Sequence, residues 1–324
     1  MEKALQLCYP VLTLDRKELL PAGAWLTPET MTELVRSAPA ETFPTMRLME
    51  YGTIARDLRR FCEQPPYRQI FSDPKRTKAV FDAMQRVESV QPLLEIYLHL
   101  RNHDPYTYRH ILTVFALSLL LAQDLLDDRK ELGREVAAAS NHDFGKVCVP
   151  LAICSKTTPL NEHERHQLSH HAAAGYVLLS YYFRDPNHPA AITARDHHER
   201  CDGSGYPRGI ALQNRLVEIV AVGDVFDALI SPRPYRSRSY DLRTALEEVT
   251  MLGESGAVSM EVVRALISCN RKDQASYTDC TPSREQRGTP PPGNLYQGAS
   301  PCHYQPECGL EEDHDSETGS GPPA

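Results

Sequence analysis

AASNHDFGKVCVP, residues 138–150, sets a histidine and an aspartate side by side at His142 and Asp143. Neighbouring residues on a helix point about 100° apart, so such a pair can reach one cation or span two. A carboxylate can use both oxygens, which makes Asp143 the natural bridge. Outward from this pair, the 324-residue chain with its 13 histidines repeats the theme in separate segments. His110 stands early in a long apolar helix, His171 precedes Gly175 by one turn, and His197 and His198 open HHERCDGSGYP. Asp224 lies within VEIVAVGDVFDAL. A carboxylate there is costly to bury uncompensated, and coordination is one compensation. Imidazole nitrogens mixed with carboxylate oxygens suit Fe, Mn, Zn and similar divalent ions, and such sets build two-metal sites. Any one of these histidines alone reads as a satisfied core residue; the whole set points to metal.

The flanking punctuation predicts helices. Thr27-Pro28, Asp73-Pro74 and Asp104-Pro105 each place an N-cap before a first-turn proline. Asn161 with Glu164 forms a capping box that opens a helix to about Tyr182, and Asp241 caps another through Glu248. Ile111 to Ala122 is too short to cross a bilayer and reads as a buried core helix. Cys8–Leu14 is the best strand candidate, with Ala22-Gly23 as a turn. The expected architecture is mainly α. A small N-terminal accessory module with some strand (1–72) leads into a linker helix (73–100) that Pro92 should interrupt. That helix offers a surface for a homodimer. An all-α bundle (101–270) follows. From Arg271 onward there are two leucines, no Ile, Val, Phe or Met, and eight of the 25 prolines. Such a segment buries too little apolar surface to offset its chain entropy, so 271–324 is expected to be disordered.

Three stretches, HDFGK (142–146), HHERCDGSGYPRG (197–209) and DVFDALISPRPYR (224–236), resemble in order and spacing the signatures of the HD-GYP domains, a bacterial branch of the HD metal-dependent phosphohydrolases. KTTPLNEHE (156–164) resembles the connection after the HD pair. The resemblance runs from about Tyr106 to Arg238, roughly 40% of the chain. It implies an HD-type helical bundle and metal ligands at His110, His142, Asp143, His171, His197, His198 and Asp224. It places Lys146 beside the phosphate and, with Asp143, in the catalytic machinery. Tyr206 falls by the nucleotide, and Arg233 and Arg236 face its phosphates. Tyr106 stands where some relatives carry a glutamate that supports a third metal, which favours two divalent ions, iron or manganese. Cys201 and the segment Ile210 to Arg215 depart from the family pattern without removing a ligand. The implied activity is hydrolysis of a cyclic dinucleotide, cyclic di-GMP to linear pGpG, with the further cut to GMP left open. Cyclic GMP-AMP is the alternative substrate, and a non-hydrolysing receptor or adaptor the alternative role.

Composition narrows the partners. With 35 Lys and Arg against 43 Asp and Glu, the net charge is −8, unsuited to holding long nucleic acid by a broad basic surface. MEKALQLCYPVLTLD has no apolar run long enough for a signal peptide, and nine cysteines without a CxxC pair fit reduced thiols in the cytoplasm, away from a membrane. His163, His166 and His170 share a helix front with His171 but are expected outside the ligand set, as are His99, His103 and His188. Glu199 and Asp202 are expected to shape the loop around Gly203 and Gly205.

Overall fold

In the computed structural model, which describes residues 5–39, 42–126, 136–233, 238–271, 276–283 and 285–291, the helix starts follow the expected caps. Thr27 accepts a hydrogen bond from the Thr30 amide at the start of α1 (Pro28–Arg36). After α2 (Ile54–Glu63) and the single-turn α3 (Tyr67–Ile70), Asp73 accepts from the amides of Lys75 and Arg76 to open α4 (Pro74–Met84). Next come α5 (Gln91–His103) and α6 (Pro105–Leu125), the second capped by Asp104 on the Thr107 amide. Beyond a short α7 (Leu151–Cys154), Asn161 and Glu164 complete the capping box of α8 (Glu162–Phe183). The remaining helices are α9 (Pro189–Asp196), α10 (Arg215–Ile230), α11 (Leu242–Glu254), capped by Asp241, and α12 (Met260–Asn270). Side-chain caps of this kind contribute about 1 kcal/mol each by satisfying amides that the helix itself leaves open.

α6 is buried on every side from Tyr108 to Ala122 apart from Arg109, and α10 is nearly so, which makes these two the centre of the bundle. α6 packs against α10 and α5, while α8 packs against α9 and the 3-10 turn Phe144–Cys148. Strand content is small: β1 (Val11–Leu12) pairs with β2 (Glu18–Leu20), and β3 (Thr45–Arg47) with β4 (Glu88–Val90), both antiparallel. Among the described residues no helix is long and apolar enough to cross a membrane.

Four expectations are corrected. The strand foreseen over Cys8–Leu14 narrows to Val11–Leu12. His142 and Asp143 do not sit on an α-helix; they form the turn between two 3-10 segments, Val136–Asn141 and Phe144–Cys148. Gly145 gives the reason. A Cβ there would lie 1.9 Å from the His171 carbonyl oxygen, so only glycine lets this turn press against the α8 backbone. The foreseen linker helix is two helices separated by β4, with Pro92 in the first turn of α5. Leu93, Leu94, Ile96, Tyr97 and Leu100 of α5 are buried in the core of this chain, so that face of α5 is already packed. The first part of the tail also packs. Cys280 is 2% exposed, Tyr277 rests on the core, and the amides of Arg287 and Gly288 donate to Glu247. A few apolar anchors suffice here because an existing surface receives them. Residues 292–324 lie outside the described residues.

The N-terminal segment shares the core of the bundle: Leu7, Met31, Ile54 and Leu58 join one cluster with Leu112 and Phe115. Asp57 on α2 clamps it in place, accepting from Thr53 Oγ1 (2.5 Å), Tyr108 Oη (3.1 Å) and Arg101 Nε (3.2 Å). Burial would raise this carboxyl, yet those hydrogen bonds and the Arg101 charge hold it below its ordinary value.

Candidate metal centre

The seven expected ligands come from five segments and meet at one place. α6 brings His110, the 3-10 turn brings His142 and Asp143, and α8 brings His171. His197 and His198 come from the C-terminal end of α9, and α10 brings Asp224. They sort into two triads, His110 with His142 and Asp224, and His171 with His197 and His198. Within each triad one donor atom per residue lies within 4.8 Å of the others. Asp143 stands between them. Its Oδ2 is 3.4 Å from His110 Nε2 and 3.7 Å from His142 Nε2, while its Oδ1 is 3.3 Å from His171 Nε2 and 3.8 Å from His197 Nε2.

The imidazoles are oriented from behind. His142 Nδ1 donates to the Ala139 carbonyl (2.9 Å), His171 Nδ1 to Leu168 (2.6 Å) and His197 Nδ1 to Ala194 (2.9 Å). His110 differs, since its Nδ1 donates to the Asp227 carboxylate at 2.6 Å. Each ring therefore keeps its one proton at the back and turns the Nε2 lone pair inward. His198 brings its Nε2 to 3.0 Å from His171 Nε2, and the inward nitrogens of the four anchored rings crowd one another, His110 and His142 at 3.5 Å and His171 and His197 at 3.3 Å. Facing lone pairs repel unless a cation lies between them. Metal–nitrogen bonds of about 2.0–2.1 Å would set neighbouring nitrogens at about that spacing. His110 adds a second argument. Its Nε2 is 2.9 Å from Asp224 Oδ1, but a neutral ring has only one proton, and Asp227 takes it. A cation at Nε2 resolves that conflict, so the donor set fits divalent metal.

Electrostatics agree. Burial, with Arg233 nearby, pushes the His110 imidazole down to about 4. Burial and the neighbouring rings of His142 and His171 push His197 down to about 3. Burial works against ionising Asp143 and Asp224, yet Lys146 and the imidazoles around Asp143, and the His110 contact at Asp224, hold both well below the usual carboxylate range. Neutral imidazoles and ionised carboxylates are the states that bind cations.

Three of the expected substrate residues, Lys146, Tyr206 and Arg233, lie beside this centre. Lys146 Nζ donates to Asp143 Oδ2 at 2.6 Å; burial would lower its pKa, but Asp143 raises it, so it stays an ammonium. Tyr206 stacks on His198 with ring centroids 4.5 Å apart and planes at 18°. Arg233 Nη2 lies 3.2 Å from His110 Nδ1 and 3.9 Å from Asp227 Oδ2. Arg236 lies outside the described residues. Tyr106 is 44% exposed. His163, His166 and His170 gather around the Tyr9 ring, outside both triads. Glu199 shapes the loop, as expected, by accepting from the amides of Arg208 (2.7 Å) and Ile210 (3.1 Å), and Asp202 accepts from the Ser204 amide. Gly205 lets that loop lie on His198, whose carbonyl oxygen a Cβ would meet at 2.3 Å.

Two residues escaped the sequence reading. Asp227 is fully buried behind His110; a second carboxylate one turn after Asp224 in an apolar helix was a usable signal. Tyr67 donates its hydroxyl to Asp227 from α3, and nothing local in the sequence marks it.

A family profile described as HD domain matches residues 88–255. The chain belongs to the HD domain family. Its HD domain thus opens in β4, closes just past α11 and contains all seven candidate ligands, while Tyr67 lies before it. Among characterised relatives, a cyclic di-GMP phosphodiesterase response regulator of Xanthomonas campestris is 41% identical over 119 residues, 36% of this chain and 32% of that protein. A cyclic di-GMP phosphodiesterase of Thermotoga maritima is 35% identical over 172 residues, 52% of this chain and 46% of that one. A 3'3'-cGAMP-specific phosphodiesterase of Vibrio cholerae is 34% identical over 183 residues, 53% and 36% of the two chains. The match thus spans under half the length of each of these relatives. A solved HDG"Y"P protein of Bdellovibrio bacteriovorus overlays 82% of this chain and 94% of its own with a TM-score of 0.43 at 14% identity.

Proposed function

We propose that this HD domain is a metal-dependent phosphodiesterase that opens a cyclic dinucleotide, taking cyclic di-GMP to linear pGpG, with GMP after a second cut, in the cytoplasm where its cysteines stay reduced. The observation that carries this reading is Asp143, whose two oxygens face two separate ligand triads. Two divalent cations, iron or manganese, would be held by His110, His142 and Asp224 on one side and His171, His197 and His198 on the other. When bound, they supply Lewis-acid charge to the phosphodiester and ease deprotonation of water.

The chain's own groups account for the rest. Water adds to phosphorus, the P–O3′ bond breaks, and the departing 3′ oxygen takes up a proton, leaving a 5′-phosphate and a free 3′-hydroxyl. Lys146, kept cationic by Asp143, would offer a charged donor to the phosphate. Arg233 would meet the same anion, and Arg236, three residues on in the sequence, would supply a second guanidinium. The Tyr206 ring, held flat on His198, gives a base a face to stack on.

Relatives named for cyclic di-GMP and for 3'3'-cGAMP match at similar identity, which favours the second dinucleotide as the alternative substrate. The test is hydrolysis of both dinucleotides by the purified chain loaded with Mn(II) or Fe(II) under anaerobic conditions. Linear product from cyclic di-GMP is expected. A chain that holds two ions and binds a dinucleotide without cutting it is a receptor, and the proposal then fails.

A further inference from the structure

We infer that Tyr67, outside the HD domain, is a positioning residue for the metal centre: through Asp227 it fixes His110 and sets the metal affinity of the His110–His142–Asp224 triad. This rests on the metal-binding reading of the site.

Tyr67 and Asp227 are both fully buried and lie 160 residues apart. The tyrosine hydroxyl donates to Asp227 Oδ1 and lies 3.1 Å from Ser231 Oγ. Thr113 Oγ1 donates to the same Oδ1 at 2.7 Å, and Ser231 Oγ does so at 3.2 Å. The other oxygen, Oδ2, receives His110 Nδ1 at 2.6 Å. Donors on one oxygen stop the carboxylate from rotating, and the other oxygen then has one direction in which to hold the imidazole. Of the four histidines anchored through Nδ1, only His110 relies on a side chain for this; His142, His171 and His197 use backbone carbonyls. Its aim is therefore the one that a distant residue can change.

The tyrosine is itself held firmly. Arg109, next to His110 in the chain, lies over the Tyr67 ring at 5.6 Å, and the Asp57 clamp ties the preceding α2 to α5 and α6. A carboxylate behind a metal-binding histidine raises its basicity and fixes its tautomer, and loss of such outer contacts costs about 10–100-fold in metal affinity. Thr113 and Ser231 remain when the Tyr67 hydroxyl goes, so about 10-fold is expected.

The experiment is Mn(II) titration of the full chain, with and without Tyr67→Phe, which keeps the ring and removes the hydroxyl. One of two sites should weaken about 10-fold and the other stay unchanged, with the melting temperature of the metal-free protein preserved. Asp227→Asn should weaken the same site, and adding Tyr67→Phe to it should change little further. Should Tyr67→Phe fail to fold, Asp227→Asn alone carries the comparison, and two unchanged sites in it overturn the inference. Wild-type affinity at both sites in Tyr67→Phe overturns it, as does equal weakening of both sites together with a lowered melting temperature, which would mark a packing role. In either case wild-type two-site binding leaves the metal reading standing. A wild-type chain that binds no Mn(II) removes both.

Discussion

The two halves of the candidate metal centre differ in how one ring, that of His110, is supported. His171 and His197 each donate Nδ1 to a carbonyl three residues back on the same stretch of chain, so their rings are aimed by the helices that carry them. His110 is aimed by Asp227, 117 residues away, and Asp227 in turn by Thr113, Ser231 and Tyr67. The halves differ in charge as well. One has the Asp224 carboxylate, while the other has three imidazoles and only its share of Asp143. Local support leaves a ring's aim to the stretch of chain that carries it, so this half needs only its helices to form and pack. Remote support makes a half-site whose quality depends on the rest of the fold.

The largest effect should come from removing what the halves share. Asp143→Ala takes the carboxylate that turns one oxygen to each triad, so turnover of cyclic di-GMP should fall below detection and bound metal should drop in both halves. Elemental analysis beside the hydrolysis assay checks this. Retained turnover would place the chemistry elsewhere.

Next come variants that separate the halves. Asp224→Ala should leave one Mn(II) per chain, held by His171, His197 and His198, and His198→Ala should leave one in the other triad. Metal titration of the two variants decides the point; if both lose both ions, the halves bind only as a unit and the contrast disappears.

Arg233→Ala tests the border of the remotely supported half. Both ions should stay, while the apparent affinity for the dinucleotide weakens by about 1.5–3 kcal/mol, as for a lost charged hydrogen bond. Steady-state kinetics should show this as a higher KM with kcat little changed. Loss of the ion beside His110 would instead assign Arg233 to holding metal.

The smallest effects belong to the C-terminal segment. A chain ending at residue 291 should melt like the full chain, because 292–324 has almost no aliphatic side chains to bury. A chain ending at 271 loses the buried Cys280 and the Tyr277 contact, about 1–2 kcal/mol, and should melt a few degrees lower. Thermal melts of the two truncations separate these outcomes, and equal melting would mean that the packing of 276–291 contributes nothing.

What could be read directly from the amino acids was whatever depends on near neighbours or on chemical type. Thr27, Asp73, Asp104, Asn161 and Asp241 cap the helices they precede, because a cap needs only an amide two or three residues on. The histidines and aspartates of the site stood out because their kind is unusual in apolar surroundings, and the HDFGK and GYP stretches named the family. Folding alone decided how those ligands divide into triads, that Asp143 turns one oxygen to each, and that the His142–Asp143 turn is 3-10 rather than helical. It also decided that Pro92 begins a core helix, that residues near Cys280 pack, and that Tyr67 stands behind Asp227. Each of these is a contact between segments tens to more than a hundred residues apart. Such contacts are selected by the packing of the whole core, and no local run of residues encodes them.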